Sequence, residues 1–294
     1  MRKGKRWLAA AVSAAMIVQS LASVGPVYAA DDGVSIADTF TDSSFRSYVS
    51  SNFDTDSNGY LSDAEISNVT SIDVSKCSPA ISSLNGVELF TNLSKLDCNE
   101  QSIRNLDIEN LENLEYIDVS SNRIDSLTLP VSAEKLTYLD ISGNKITSLT
   151  SLADYNNLVL LNANSTNLSS IDVSNMKGLK VLGVSGTTIS TLDLGSNMEL
   201  TTLYCDSMRS LPVLDVSGHE KLKNLYCAGA KSDSGVVVRS SITKLDVSGD
   251  IVLGSLDCSN SYVAEVNIDN TPALTTLDCS NTRLTSIDVS KNTS

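Results

Sequence analysis

The last 21 residues, Leu274 to Ser294, read LTTLDCSNTRLTSIDVSKNTS, and the 21 before them, from Leu253, repeat the wording as LGSLDCSNSYVAEVNIDNTPA. Further copies open at Leu222, Leu200, Leu179, Leu158, Leu136, Leu114 and Leu93. These nine copies keep a period of 21 or 22 residues with one long exception. No unit that short can bury its own apolar face, so each must stack on its neighbours into a solenoid.

The columns of the repeat differ in chemistry. Position one is Leu throughout, position four is Leu or Ile, and position six holds Cys98, Val119, Ile141, Ala163, Val184, Cys205, Cys227, Cys258 and Cys279. Apolar residues at positions four and six, with varied residues between, have period two and predict a short strand with one buried face. A second apolar run, such as Leu106-Asp107-Ile108 or Ile287-Asp288-Val289, follows in most copies after a Ser/Asn/Gly turn. Each coil therefore turns two stretches inward.

Leu114-x-x-Ile117-x-Val119-x-x-Asn122-x-Ile124 and Leu136-x-x-Leu139-x-Ile141-x-x-Asn144-x-Ile146 resemble the leucine-rich repeat consensus. The LDCSN…LTSIDVSKN wording is similar to the cysteine-ladder variety in internalin-like secreted proteins of Gram-positive bacteria. The resemblance covers about three quarters of the chain. It implies a mainly β, right-handed leucine-rich repeat solenoid with a parallel concave sheet, and a protein or surface-glycan partner on another cell. The ninth column departs from the consensus: Asn stands only at Asn122 and Asn144, with Gln101, Thr166, Thr187, Met208, Ala230, Ser261 and Thr282 elsewhere. Small polar substitutes can still bond the turn.

Residues 1–29 read as a secretory leader: Arg2, Lys3, Lys5 and Arg6, an apolar stretch from Trp7 to Val24, then Val27-Tyr28-Ala29. Residues 30–68 read as an N-terminal cap, with Asp42 or Thr41 starting a helix whose face carries Phe45, Val49 and Phe53. The twelve residues from Asp54 to Glu65 then match an EF-hand loop. Asp54, Asp56 and Asn58 offer side-chain oxygens, Gly59 makes the sharp turn, and Tyr60 offers its carbonyl. Ser62 acts through water and Glu65 closes the site with two oxygens. An oxygen-only set suits Ca²⁺, here as a structural ion for the cap. Residues 69–294 form the solenoid, beginning with a degenerate coil.

The chain has 21 basic and 35 acidic residues, and without the four leader bases the balance is 17 against 35. Such acidity disfavours nucleic acid and anionic lipid as partners. Consecutive cysteines at an inward position, about 4.8 Å apart and parallel, are expected as free apolar core residues rather than disulfides. His219 is the sole histidine and lies in a turn, and no nucleophile context or phosphate loop is present, so no enzyme is expected. Asp107, Asp172, Asp193, Asp215, Asp246 and Asp288 repeat along the second run, where turn amides are the expected partners.

The outward columns carry the candidate binding surface. Column three places Tyr116, Tyr138, Leu160 and Val181 on adjacent rungs, and column five adds Tyr204 and Tyr226. A row of large groups with acidic flanks is expected to be a docking stripe. The extra residues between Ala228 and Ser241 are a second candidate or a tolerated insertion. The array stops at a repeat boundary, Ser294, so a further domain, catalytic or otherwise, is one alternative. A dockerin-like connector is another, disfavoured by the single calcium loop. A monomer is expected.

Overall fold

The computed structural model describes residues 33–149, 152, 154–231 and 236–294, and the leader reading of residues 1–29 lies outside them. Gly33–Ser294 form one compact unit. Its main feature is a parallel sheet with ten strands among the described residues, from Ser71–Asp73 and Lys95–Asp97 at one end to Ser255–Asp257 and Thr276–Asp278 at the other. Nine of the strands occupy positions three to five of the nine copies, and the tenth, Ser71–Asp73, belongs to the degenerate first coil. Each pairs in register with its neighbour, as Tyr116, Ile117 and Asp118 do with Tyr138, Leu139 and Asp140. A slip of one residue would turn Ile117 and Leu139 out to solvent, so the apolar period fixes the register.

Position four is fully buried at Leu96, Ile117, Leu139, Leu161, Leu182 and Leu203, and so are Cys98, Val119 and Ile141 at position six. The second run forms strands in only some rungs: Asn105–Asp107 with Ser126–Thr128, and Val213–Asp215, Lys244–Asp246 and Glu265–Asn267 together. Its six aspartates all accept an amide two residues ahead, from Asp107 with the Glu109 N–H to Asp288 with the Ser290 N–H. Those bonds offset the cost of a column of like charges. The residue after the main strand's first turn is left-handed in most rungs (Ser121 φ 54°, Gly143 66°, Ser165 56°, Asn281 56°). Gly, Asn and small polar residues tolerate that conformation best, hence their dominance there.

Where Asn stands in column nine it joins rungs. Asn122 Nδ2 donates to the Cys98 carbonyl of the preceding rung and to the Val119 carbonyl of its own, while Oδ1 accepts the Ile103 N–H. Asn144 repeats the pattern. Thr166, Thr187, Ser261 and Thr282 donate instead to the carbonyl three residues back, because their side chains are one atom shorter and carry no amide. The turn is satisfied; the main-chain link between rungs is lost, and Thr187 reaches the next rung only at the Met208 sulfur, 3.8 Å away.

All four phenylalanines sit where the cap meets the array. Phe40 lies 5.5 Å from Phe45 and 6.0 Å from Phe90, and Phe53 lies 5.4 Å from Phe90, centroid to centroid. The helix Ser43–Asn52 is capped by Asp42, whose Oδ1 accepts the Ser44 and Phe45 N–H groups. Its Oδ2 accepts the Ser82 N–H and hydroxyl, tying the cap to the first coil. A short helix, Ile36–Thr39, precedes it and does not follow from the apolar spacing.

Candidate functional site

The acidic loop is set between the helices Ser43–Asn52 and Asp63–Asn68. Asp54 turns its two oxygens back on the loop, accepting the Asn58 N–H at 3.1 Å and the Gly59 N–H at 3.0 Å. Gly59 has φ +86°, a conformation that admits glycine without strain. Asn58 donates to Asp56 at 3.0 Å and accepts the Tyr60 N–H at 2.7 Å. Ser62 caps the second helix, and with Glu65 it forms a reciprocal capping box. Tyr60–Leu61 pairs antiparallel with Val34–Ser35, and Leu61 is fully buried. The chain thus supplies from its own N-terminal side the strand that steadies the loop.

One oxygen each from Asp54, Asp56 and Glu65 lies within 4.8 Å of the others. Glu65 Oε1 accepts the Thr55 hydroxyl and N–H, both at 2.6 Å, and Oε2 accepts the Ser62 N–H and hydroxyl, both at 2.9 Å. The Thr55 hydroxyl and Ser62 amide lead in drawing the Glu65 pKa down to about 2. Its carboxylate is therefore charged at neutral pH and held in place by both neighbours. Asp54, Asp56 and Glu65 converge, Asn58 is bonded to Asp56 and Ser62 to Glu65, and with the Tyr60 carbonyl these residues could hold a hard cation.

The outward face of the main sheet bears the two predicted columns. Tyr116, Tyr138, Leu160 and Val181 are cross-strand neighbours in unbroken register, each half-buried. Tyr204 pairs with Tyr226 in the next column, at 36% and 43% exposure. Two aromatic stacks result: Tyr116 on Tyr138 at 4.2 Å and 10°, and Tyr204 on Tyr226 at 4.8 Å and 5°. Lys95 lies 5.2 Å over the Tyr116 ring and also reaches Asp73 and Asp97. The acidic flank differs from expectation, since Asp97, Asp118 and Asp140 are buried although they share this face. Each is turned down onto the loop: Ser120 and Ser142 donate both N–H and hydroxyl to Asp118 and Asp140. Burial raises the Asp97 pKa, with Asp73 and Asp118 adding to the effect.

All six cysteines are unpaired, and burial raises the thiol pKa of Cys98, Cys205, Cys227 and Cys258. The insertion contains a small antiparallel pair, Ala230–Lys231 with Val237–Val238. Gly229 beside it has no room for a side chain, since a Cβ would meet the Asn260 carbonyl at 2.1 Å.

One buried column is not apparent from the apolar spacing. Each opening Leu of a rung donates its N–H to the residue three before it, and those residues are Phe90, Leu111, Ala133, Tyr155, Met176, Asn197, His219, Asp250 and Thr271. The column is apolar through Met176 and polar from Asn197, yet every member is buried. His219 places Nδ1 2.7 Å from the Val216 carbonyl and Nε2 3.2 Å from that of Leu194. Both neighbours are main-chain carbonyls, of which a neutral imidazole donates to one, and the ring is buried within the array. Aligning the residue three before each Leu would have exposed the column; the Leu and strand positions alone do not.

Residues 112–154 match the family of Leucine Rich repeats (2 copies). No curated protein matches the chain in sequence. Among solved structures, internalin F of Listeria monocytogenes is 18% identical over 89% of this chain and 96% of its own, with a TM-score of 0.55. Internalin C2 of the same organism is 17% identical over 78% and 89%, with a TM-score of 0.56. The functional domain of InlJ from Listeria monocytogenes, which includes a cysteine ladder, is 25% identical over 88% and 74%, with a TM-score of 0.44. The chain is a mainly β leucine-rich repeat solenoid, similar in structure to Listeria internalins.

Proposed function

We propose that this chain is an exported binding module that docks a protein of another cell on the outward face of its main sheet, with Ca²⁺ holding its N-terminal cap. The observation that carries the reading is the pair of tyrosine stacks, with Leu160 and Val181 between them. Folding needs nothing so large there: Lys95, Thr202, Asn224, Ser255 and Thr276 serve the same column on other rungs. Tyrosines at a solvent-facing sheet give rigid, amphipathic contact area and favour binding hot spots. Stacking covers one face of each ring, and Lys95 lies over the Tyr116 ring, so less ring face is left on which a sugar could lie. A protein surface suits that geometry better than a glycan. Over ten strands at about 4.8 Å each the face is roughly 45 Å long, ample for a protein interface.

Asp54, Asp56, Asn58, the Tyr60 carbonyl, Ser62 through water, and Glu65 would hold the Ca²⁺. A bound ion would supply a positive centre for three converging carboxylates and would tie the helix Ser43–Asn52 to the helix Asp63–Asn68. No helix among the described residues is long and apolar enough to cross a membrane. The leader reading of residues 1–29 supports export.

The test is capture from cell-surface extracts by residues 30–294, compared with Tyr204→Ala/Tyr226→Ala. Loss of each anchor should weaken binding by about 2 kcal/mol or more, with folding little changed at these exposed positions. If the double variant captures its partner as well as the parent, the stack is structural and the docking surface lies elsewhere.

A further inference from the structure

On a chain with 35 acidic and 21 basic residues, one edge of the solenoid is cationic. It is the turn that follows each main strand. Arg123, Lys145, Arg209 and Arg283 occupy the same position of that turn, each donating its N–H to a carbonyl of the preceding rung. All four are exposed. Acids in the same four-residue turn of the nine rungs are Glu100 and Asp206, and the Asp206 carboxylate is half-buried on the Ala228 N–H.

The edge converges at its C-terminal rungs. Tyr262, in the same column, is 36% exposed, and its ring is flanked by the Arg283 guanidinium at 4.4 Å and that of Arg239 at 5.6 Å. Arg239 comes from the insertion. It is steered there by donating Nη1 to the Ser261 carbonyl at 3.1 Å and to the Asn281 carbonyl. None of the five bases has a carboxylate partner among the described residues. An acidic protein with many carboxylates at hand has left two adjacent guanidinium groups unneutralised and fixed one of them with main-chain bonds.

We propose that Arg239, Tyr262 and Arg283 form an oxyanion site, continued by Arg209, Lys145 and Arg123 along the edge, that takes a linear polysaccharide bearing sulfate or carboxylate groups. Guanidinium presents paired donors to an oxyanion, and stacking on Tyr262 holds the fork in place. Rungs about 4.8 Å apart set the cations at fixed multiples along one line, which matches a linear repeating polyanion rather than a compact anion. The carboxylates of the other faces weaken this attraction little, because at physiological salt charges are screened beyond about 8 Å. This edge is a different surface from the tyrosine face, and neither reading depends on the other.

Heparin, a linear sulfated polysaccharide, is the first probe. Residues 30–294 should be retained on immobilised heparin in about 50 mM salt and released as salt rises, against the expectation from a pI near 4.4. Arg283→Gln should weaken heparin binding at least fivefold, and Arg239→Ala/Arg283→Gln at least twentyfold. Tyr204→Ala/Tyr226→Ala should bind heparin as the parent does. A carboxylated chain such as polyguluronate should compete, whereas a single-stranded oligonucleotide of equal charge should compete at least tenfold less well. Arg239→Ala can loosen the insertion, so Arg283→Gln, which touches no main-chain group, is the deciding variant. Flow-through of the parent, unchanged binding by Arg283→Gln, or equal competition by the oligonucleotide would overturn the proposal.

Discussion

Asp250→Asn is expected to make the protein more stable at neutral pH. Asp250 is fully buried; Oδ1 accepts the His219 N–H at 2.9 Å, and Oδ2 has no hydrogen-bond partner. Burial drives its pKa from 3.8 up to about 8, opposed by the His219 amide and reinforced by Asp246 and Asp215. The folded value lies above the unfolded one, so this group's contribution is complete below pH 3.8 and is lost as pH rises toward 8. At pH 7 the unfolded chain is ionised at this residue, and folding must take up a proton against about three pH units. At about 1.4 kcal/mol per unit the cost is on the order of 4 kcal/mol. Asparagine keeps the acceptor for His219 and requires no proton, although its buried amide donors cost about 1–3 kcal/mol if unpaired. The net gain at pH 7–8 is about 2 kcal/mol, and below pH 4 the order reverses. Denaturant midpoints of both proteins across this range test the difference, in which the other carboxylates cancel. If Asp250→Asn is the less stable protein at pH 8, Asp250 is ionised in the fold and the reasoning fails.

Millimolar Ca²⁺ should raise the unfolding midpoint by an amount set by binding to the folded form, and Glu65→Gln should abolish most of the rise; a midpoint indifferent to Ca²⁺ and EGTA would refute a structural ion. Cys98, Cys205, Cys227 and Cys258, buried with raised thiol pKa values, should react with thiol reagents only on unfolding, ahead of which Cys77 and Cys279 are modified; mass spectrometry of the native protein reads the order. Asn122→Ala should cost about 2–4 kcal/mol, because it orphans the Cys98 carbonyl and the Ile103 N–H while the Val119 carbonyl keeps Asn144 Nδ2, whereas Thr166→Ala, which frees one carbonyl, should cost about 1 kcal/mol in the same denaturation assay.

By itself the sequence determined the solenoid, its rung boundaries and its register. A 21-residue period with Leu at positions one and four permits a single stacked arrangement, and the period of two within each strand decides which side chains face inward. It also determined the membership of the acidic loop, because side chains within twelve consecutive residues are held near one another by the chain. Likewise Tyr116, Tyr138, Leu160 and Val181 could be placed in a row from column spacing alone, and the register confirms that row.

Tertiary structure decided whatever depends on distance across rungs or on rotamer. That the tyrosines stack in pairs, and that Asp118 and Asp140 fold down onto Ser120 and Ser142, follows from side-chain torsions that column spacing leaves free. The strand Val34–Ser35 on the acidic loop joins segments 27 residues apart in the chain, and no periodicity announces the pairing. The reach of Arg239 to Asn281 crosses 42 residues, and it depends on how the insertion folds back over two rungs. The buried polar column around His219 and Asp250 is legible only once stacking shows that a turn residue three before each Leu is enclosed by its neighbours above and below. Local order came from the repeat; exposure, charge state and the grouping of distant side chains came from stacking, because burial belongs to neighbours in space rather than to neighbours in sequence.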